Sequence, residues 1–493
     1  MKTPALISAL LVLAASVVPA QAVETLARPS ESPLVSIRIL FKTGAASDPA
    51  GKEGAAALTA AMLSRGGSSE MTYDDIVEAM FPMATSVGAQ VDKEMIVFTG
   101  ETHRDNLEAY YQILRGMLLE PGWREDDFKR LKDDQLNGLR LGLRSNNEEE
   151  LGKELLQTTV YGAEHPYGHP NLGTGPGIES LTLDDVKAFY AANFRRGNVV
   201  VAMAGGYPDG FLDRVRKDFE ALPEGAPAAV AVPAPASAKK IRVHIVKKET
   251  RSTLISLGFP IDVNRAHPDW PALKVAQSYF GQHRSSKGRL FQRIRAVRGM
   301  NYGDYAYIEY FPHGMFQFQP EPNLGRSRQI FEMWIRPVVP ENGLFALKLA
   351  MFELNQLVEQ GLSAEDFGST VEFLSKFVNL LTQTQTQDLG YALDSEYYGL
   401  PPFNSWIKGK LAGLKVEDVN AAIQKHLRSS DLDVIVITAD AEGFARALKP
   451  GTKPKPVYAS PPPQEVLDED LEVINYKLEL GAVETIPVDF VFE

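Results

Sequence analysis

The chain has 493 residues, 44% of them hydrophobic and 23% charged, a globular composition too long for one hydrophobic core, so two or more domains are expected. Its net charge of −12 disfavours nucleic acid and anionic lipid as partners, and no basic stripe overrides it. The absence of cysteine excludes disulfides, thiolate metal sites, cysteine nucleophiles and a lipoprotein anchor.

Residues 1–22 read as a secretory signal. Lys2 supplies the positive start, and Ala5–Val18 is an apolar run too short for a membrane span. Ala20-Gln21-Ala22 is an A-x-A cleavage site, which predicts a mature, periplasmic or secreted chain beginning at Val23. No later stretch reaches the ~18 apolar residues of a spanning helix. Leu34–Phe41 alternates around Ile37, Ile39 and Phe41, the pattern of a half-buried strand. Gly54–Leu63 is Ala-rich and helical, Asp105–Leu119 has helical spacing and stops at Pro121, and Asp126–Leu143 is a further long helix.

Pro223–Lys240 is dominated by Pro and Ala and reads as an extended linker (223–240) between parts 23–222 and 241–450. Leu181-Thr-Leu-Asp-Asp-Val-Lys-Ala matches Leu414-Lys-Val-Glu-Asp-Val-Asn-Ala, two helix starts with acidic first turns. Each is followed by a β-rich run, Val199–Ala204 and Leu432–Thr438, at the same offset, which argues for internal duplication. Thr253–Phe259 takes the place of Leu34–Phe41 in the second part, and each half reads as α+β. The tail 451–493, opening with Pro-rich segments, is expected to be an extended arm packed on the body.

The stretch Asp48-Pro49-Ala50-Gly51-Lys52-Glu53-Gly54-Ala55-Ala56-Ala57-Leu58-Thr59-Ala60-Ala61-Met62 resembles the signature helix of the pitrilysin/insulinase-type (M16) zinc peptidases. In catalytic members that helix carries H-x-x-E-H, two His on one face binding zinc and a Glu that activates water. The corresponding positions here are Ala57, Ala60 and Ala61, and the family's third ligand, a later Glu, falls on Gly138. Independently of the resemblance, no His precedes His103, so the first half has no imidazole for a zinc site on that helix. His165 and His169 are four apart, but Pro166 and Pro170 adjoin them and break any helical face. The remaining His residues (His103, His244, His267, His283, His313, His426) stand singly and read as surface or core histidines.

In the second half, Arg289-Leu290-Phe291-Gln292-Arg293-Ile294-Arg295-Ala296-Val297-Arg298-Gly299-Met300-Asn301-Tyr302 is similar to the family's R-L-F-x-x-L-R-x-x-x-G-L-x-Y pattern. Read from residues alone, Arg295 is one of several solvated helix arginines and Tyr302 a packed strand residue. The resemblance implies instead that Arg295 and Tyr302 face a zinc site, Tyr302 donating to a developing oxyanion and Arg295 gripping substrate. It further implies two homologous α/β-sandwich halves (LuxS/metallohydrolase-like, duplicated) in a clam-shell arrangement. The implied function is that of a non-catalytic, substrate-binding subunit for an H-x-x-E-H partner. Zinc then belongs to the partner, no cofactor is bound by this chain, and the substrates are extended or unfolded peptides. The alternative reading is an inert structural or peptide-binding scaffold of the same fold.

Overall fold

The computed structural model describes residues 22–493, so the expected export signal lies outside the described residues except for Ala22. The first half builds β1 (Glu24–Pro29), β2 (Leu34–Phe41), β3 (Gly88–Val91), β4 (Ile96–His103) and β5 (Val199–Gly205). The second builds β6 (Ile241–Lys247), β7 (Thr253–Ile261), β8 (Asp304–Tyr307), β9 (Gln329–Val338) and β10 (Asp433–Thr438), and the tail adds β11 (Leu480–Pro487). The sheet orders are β1-β5-β2-β4-β3 and β11-β6-β10-β7-β9-β8. In both, the strand opening the half lies parallel to its last strand and every other pair is antiparallel, apart from the parallel addition of β11 to β6. Two sheets with one order and one orientation pattern are the structural counterpart of the internal sequence match.

One face of each sheet is covered by helices of its own half. Ile37, Ile39 and Phe41 of β2 pack with Leu58, Leu63, Tyr110 and Phe194, while Ile255, Leu257 and Phe259 of β7 pack with Leu273, Phe280, Leu347 and Ile423. The other face is covered by a helix from the opposite half. Glu148–Tyr161 lies on β7, β9 and β10, where Leu151 and Leu156 meet Val246, Leu254, Ile330, Ile435 and Ile437. Reciprocally, Gln385–Tyr397 lies on β1, β2 and β5, where Leu389 and Leu393 meet Leu40, Val200, Ala202 and Ala204. Each such buried leucine stabilises the fold by roughly 1.5–3 kcal/mol. The exchange corrects the half-buried reading of Leu34–Phe41: Ser36 and Arg38, polar enough to suggest a wet face, are buried beneath Gln385–Tyr397. Gln385 donates to Ser36 Oγ at 3.0 Å, and Arg38 donates to the Thr386 carbonyl at 3.2 Å and to Asn323 Oδ1 at 2.9 Å.

Residues 226–238 hold no helix or strand. The Pro233 carbonyl lies 3.0 Å from His165 Nε2 and the Val232 carbonyl accepts from Arg328 Nε at 3.3 Å, so this segment touches both halves. The tail differs from an extended arm. Gln464–Asn475 is a helix, because Val473 and Asp470 bury against the second half, and β11 completes a sheet edge. Glu493 then reaches back to the first half, accepting from Arg140 at 2.9 Å and Arg144 at 2.7 Å.

Polar contacts between the halves are buried as well. Asp92, after β3, accepts a fork from Arg326 Nε and Nη2 at 2.7 and 2.5 Å, and Asn171 donates to the same carboxylate at 2.8 Å. The Arg326 guanidinium sits 3.6 Å from the Tyr310 ring centroid. Lys153, on the exchanged helix, donates to the Phe311 carbonyl and lies 4.9 Å over Trp334.

His283 joins the same aromatic cluster, with Nδ1 2.8 Å from the Tyr307 hydroxyl and Nε2 2.9 Å from the Gln317 carbonyl. Burial, reinforced by the nearby cations of Lys153, Arg284 and Arg336, lowers its pKa to about 4. A folded value below the unfolded one means that the neutral ring stabilises the fold above pH ~6.5, and that this contribution is lost as pH falls through about 4. The expected result is a shallower loss of stability for His283→Gln than for wild type between pH 6.5 and 4, read from urea midpoints at each pH.

Candidate functional site

The helix Ala55–Arg65 is started by a residue outside it. Asp48 accepts from the Gly54 and Ala56 amides, both at 2.7 Å, and Gly54 takes the left-handed conformation (φ 112) that the turn into the helix requires. Burial pushes the Asp48 carboxyl up to about 7, against the pull of those two amides and of Lys93. The helix buries Ala55, Ala56, Leu58, Met62 and Leu63 in the first core. Ala57, Ala60, Ala61 and Ser64 follow helical spacing along another face and line a cavity of about 850 Å³.

Gly138 lines the same cavity, at the point where the helix Glu125–Asn137 widens into a π-helical stretch, Gly138–Ser145. A Cβ built there would meet only Leu172 Cδ1, at 3.9 Å, so space for a side chain remains. The four positions singled out in the sequence therefore converge on one space. Methyl groups and a glycine provide no donor atom, so this site does not fit zinc. The edge strand β3 forms another wall, and Tyr310, Pro312, His313, Gln317, Glu321 and Leu324 of the second half close the space. Two cavity carboxylates that sequence reading missed, Glu150 and Glu154, are engaged by that second-half segment. Glu150 accepts from the His313 and Gly314 amides at 2.8 and 2.9 Å, and Glu154 accepts from the Tyr310 hydroxyl. Only the acidic run Glu148-Glu149-Glu150 at a helix start hinted at them.

Arg295 and Tyr302 come together elsewhere. Neither lines that cavity; the Arg295 guanidinium lies 5.8 Å from the Tyr302 ring centroid and 4.8 Å from that of Phe291. Arg295 lies on a second π-helical stretch, Phe291–Ala296, closed by Gly299 at φ 63, whose amide donates to the Arg295 carbonyl at 2.8 Å. Asn301 donates to Asp304 at 2.6 Å and to the Arg336 carbonyl at 3.1 Å, which fixes the loop that presents Tyr302, 76% exposed. The neighbouring arginines are engaged: Arg289 and Arg293 with Glu353 at 2.7 and 3.0 Å, and Arg298 with Glu469 and Asp470 of the tail helix at 2.6 and 2.9 Å. Among the described residues Arg295 alone of these four has no carboxylate partner.

His165 and His169 take different partners. His165 accepts from the Tyr167 amide at 2.9 Å, and His169 Nδ1 lies 2.9 Å from the Pro170 carbonyl. Two histidines that stand singly in sequence do meet: His267 and His426 flank Asp269.

Residues 25–170 match the family model described as insulinase (peptidase family M16), and residues 180–374 match the peptidase M16 inactive domain. The chain is 22% identical over 413 residues to the non-peptidase homolog YmxG of Helicobacter pylori, covering 82% of this chain and 89% of that protein. It is 24% identical over 268 residues to the uncharacterized zinc protease YmxG of Bacillus subtilis, covering 54% of this chain and 63% of that one. Its fold is similar to the crystal structure of a peptidase M16 inactive domain from Pseudomonas fluorescens, with a TM-score of 0.73 and 23% identity over 85% of this chain and 95% of that one. With two family models spanning most of both halves and the H-x-x-E-H positions occupied by alanine, the chain belongs to the M16 peptidase family as a non-peptidase homologue.

Proposed function

We propose that this chain is the substrate-binding, non-catalytic subunit of a two-subunit peptidase, completing the active site of an exported M16 partner that carries H-x-x-E-H. The observation that carries the proposal is the separation of the two sets of site positions within the chain. The cavity beside the signature helix is intact but lined by Ala57, Ala60, Ala61 and Gly138, while Arg295 and Tyr302 are held ready and unengaged on another surface. In the partner, zinc and its Glu would supply the activated water. Tyr302 donates its hydroxyl proton toward the oxygen of the scissile carbonyl as charge develops there. Arg295 holds a neighbouring carbonyl or carboxylate of the peptide with its fork of donors. The edge of β3, open to the cavity, suits an extended peptide added as a further strand, a mode that gives affinity with little sequence preference.

Mixing the chain with an H-x-x-E-H protein of the same family should give a one-to-one complex by sedimentation and a peptide-cleavage rate well above that of either subunit. An inert scaffold would assemble without raising the rate, or not assemble at all.

A further inference from the structure

A second constellation lies in the other half, away from the alanine-lined cavity. His267 stands just before the helix Trp270–Gly281, Asp269 is the N-cap of that helix, and His426 is the last residue of Val416–His426. Packing of these two helices side by side brings together two imidazoles that lie far apart in the chain. One ligand atom from each of the three residues lies within 4.8 Å of the other two. His426 Nε2 is 2.7 Å from Asp269 Oδ2, and His267 Nδ1 is 4.0 Å from the same oxygen. The two rings stand nearly perpendicular, 87° apart, with centroids at 5.3 Å, so their nitrogens converge without stacking.

Ion size makes the comparison quantitative. A tetrahedral ion with bonds of about 2.0–2.2 Å holds its ligand atoms about 3.3–3.6 Å apart. The observed 2.7 and 4.0 Å bracket that span and the third separation is within 4.8 Å, so rotamer adjustments on the order of 1 Å would bring the three atoms to one centre. Two imidazoles and one carboxylate are a donor set for zinc or another late first-row divalent ion. The side chains are 28%, 30% and 10% exposed, which leaves an entry path and room for water as a fourth ligand. Two groups compete with the ion. Lys425 Nζ lies 2.7 Å from Asp269 Oδ2, and the Asp269 amide donates to His267 Nδ1 at 3.1 Å.

We infer that His267, Asp269 and His426 form a binding site for a divalent transition metal, which ties the start of Trp270–Gly281 to the end of Val416–His426. The site is separate from the positions where the family resemblance places zinc, and it departs from the sequence reading of isolated histidines and no bound cofactor.

Calorimetric titration of the full chain with zinc alone tests this. One saturable equivalent is expected, weakened about tenfold or more by His267→Ala or His426→Ala. Lys425→Ala, which removes a competitor at an exposed position, should tighten it. Circular dichroism of each variant shows that the fold survives. Absence of saturable binding by the folded wild-type chain would overturn the assignment, as would an equivalent that persists when His267→Ala and His426→Ala are combined.

Discussion

Asp92→Ala lowers the stability of the chain by about 3–5 kcal/mol, a large fraction of the ~5–15 kcal/mol typical of a folded protein. Both partners of the Asp92–Arg326 pair are almost wholly buried, so the truncation leaves a guanidinium without a counter-ion between the two halves. The pair is bidentate, and Asn171 and the Tyr310 ring complete its surroundings, so solvent cannot replace the lost carboxylate. Arg326 holds the Asp92 carboxyl below the usual carboxylate range despite its burial, which is the electrostatic expression of the same contact. Arg326→Met should cost a similar amount by stranding the carboxylate instead. The double variant Asp92→Ala with Arg326→Met should be less destabilised than the two single effects added, because no unpaired charge remains. Urea denaturation of the four chains checks this; a single-variant loss below about 1 kcal/mol would mean that the pair is solvated.

Tyr302→Phe and Arg295→Ala each reduce peptide cleavage by the mixed complex about 10²–10³-fold while leaving assembly intact. Tyr302 is mostly exposed and its loop is held by Asn301 and Asp304, so removing one hydroxyl leaves the backbone in place. Arg295 has no ion pair to lose among the described residues, so its truncation leaves no stranded carboxylate. Arg289→Ala is the control, because that side chain is engaged with Glu353 and should alter stability more than rate. The expected signature of Tyr302→Phe is a fall in kcat with little change in KM, since its hydrogen bond strengthens only as the oxyanion forms. Equal cleavage by the Phe variant would remove Tyr302 from the chemistry.

Much of the strand framework was legible because period-two alternation survives in β2 and β7 and because the repeated helix–strand pair reports the duplication. The exchanged helices were not. Glu148–Tyr161, with Glu148, Glu149, Glu150, Lys153 and Glu154 among its leucines, reads as a surface helix and does not show which sheet it covers, and Ser36 and Arg38 look like solvent-facing residues until Gln385–Tyr397 covers them. The turn-widening at Gly138–Ser145 and Phe291–Ala296 was hidden for a similar reason, since a π-helical stretch has no side-chain periodicity of its own over so few residues. The alanine positions could be found from the surrounding motif. By contrast, Glu150, Glu154 and the His267–Asp269–His426 group depend on long-range packing that no local spacing encodes.

Peptide hydrolysis by the purified chain alone, by an H-x-x-E-H partner alone and by their mixture, each with and without a chelator, bears most directly on the helper role. Strong chelator-sensitive cleavage confined to the mixture is the predicted outcome; chelator-sensitive cleavage by this chain in isolation would contradict it.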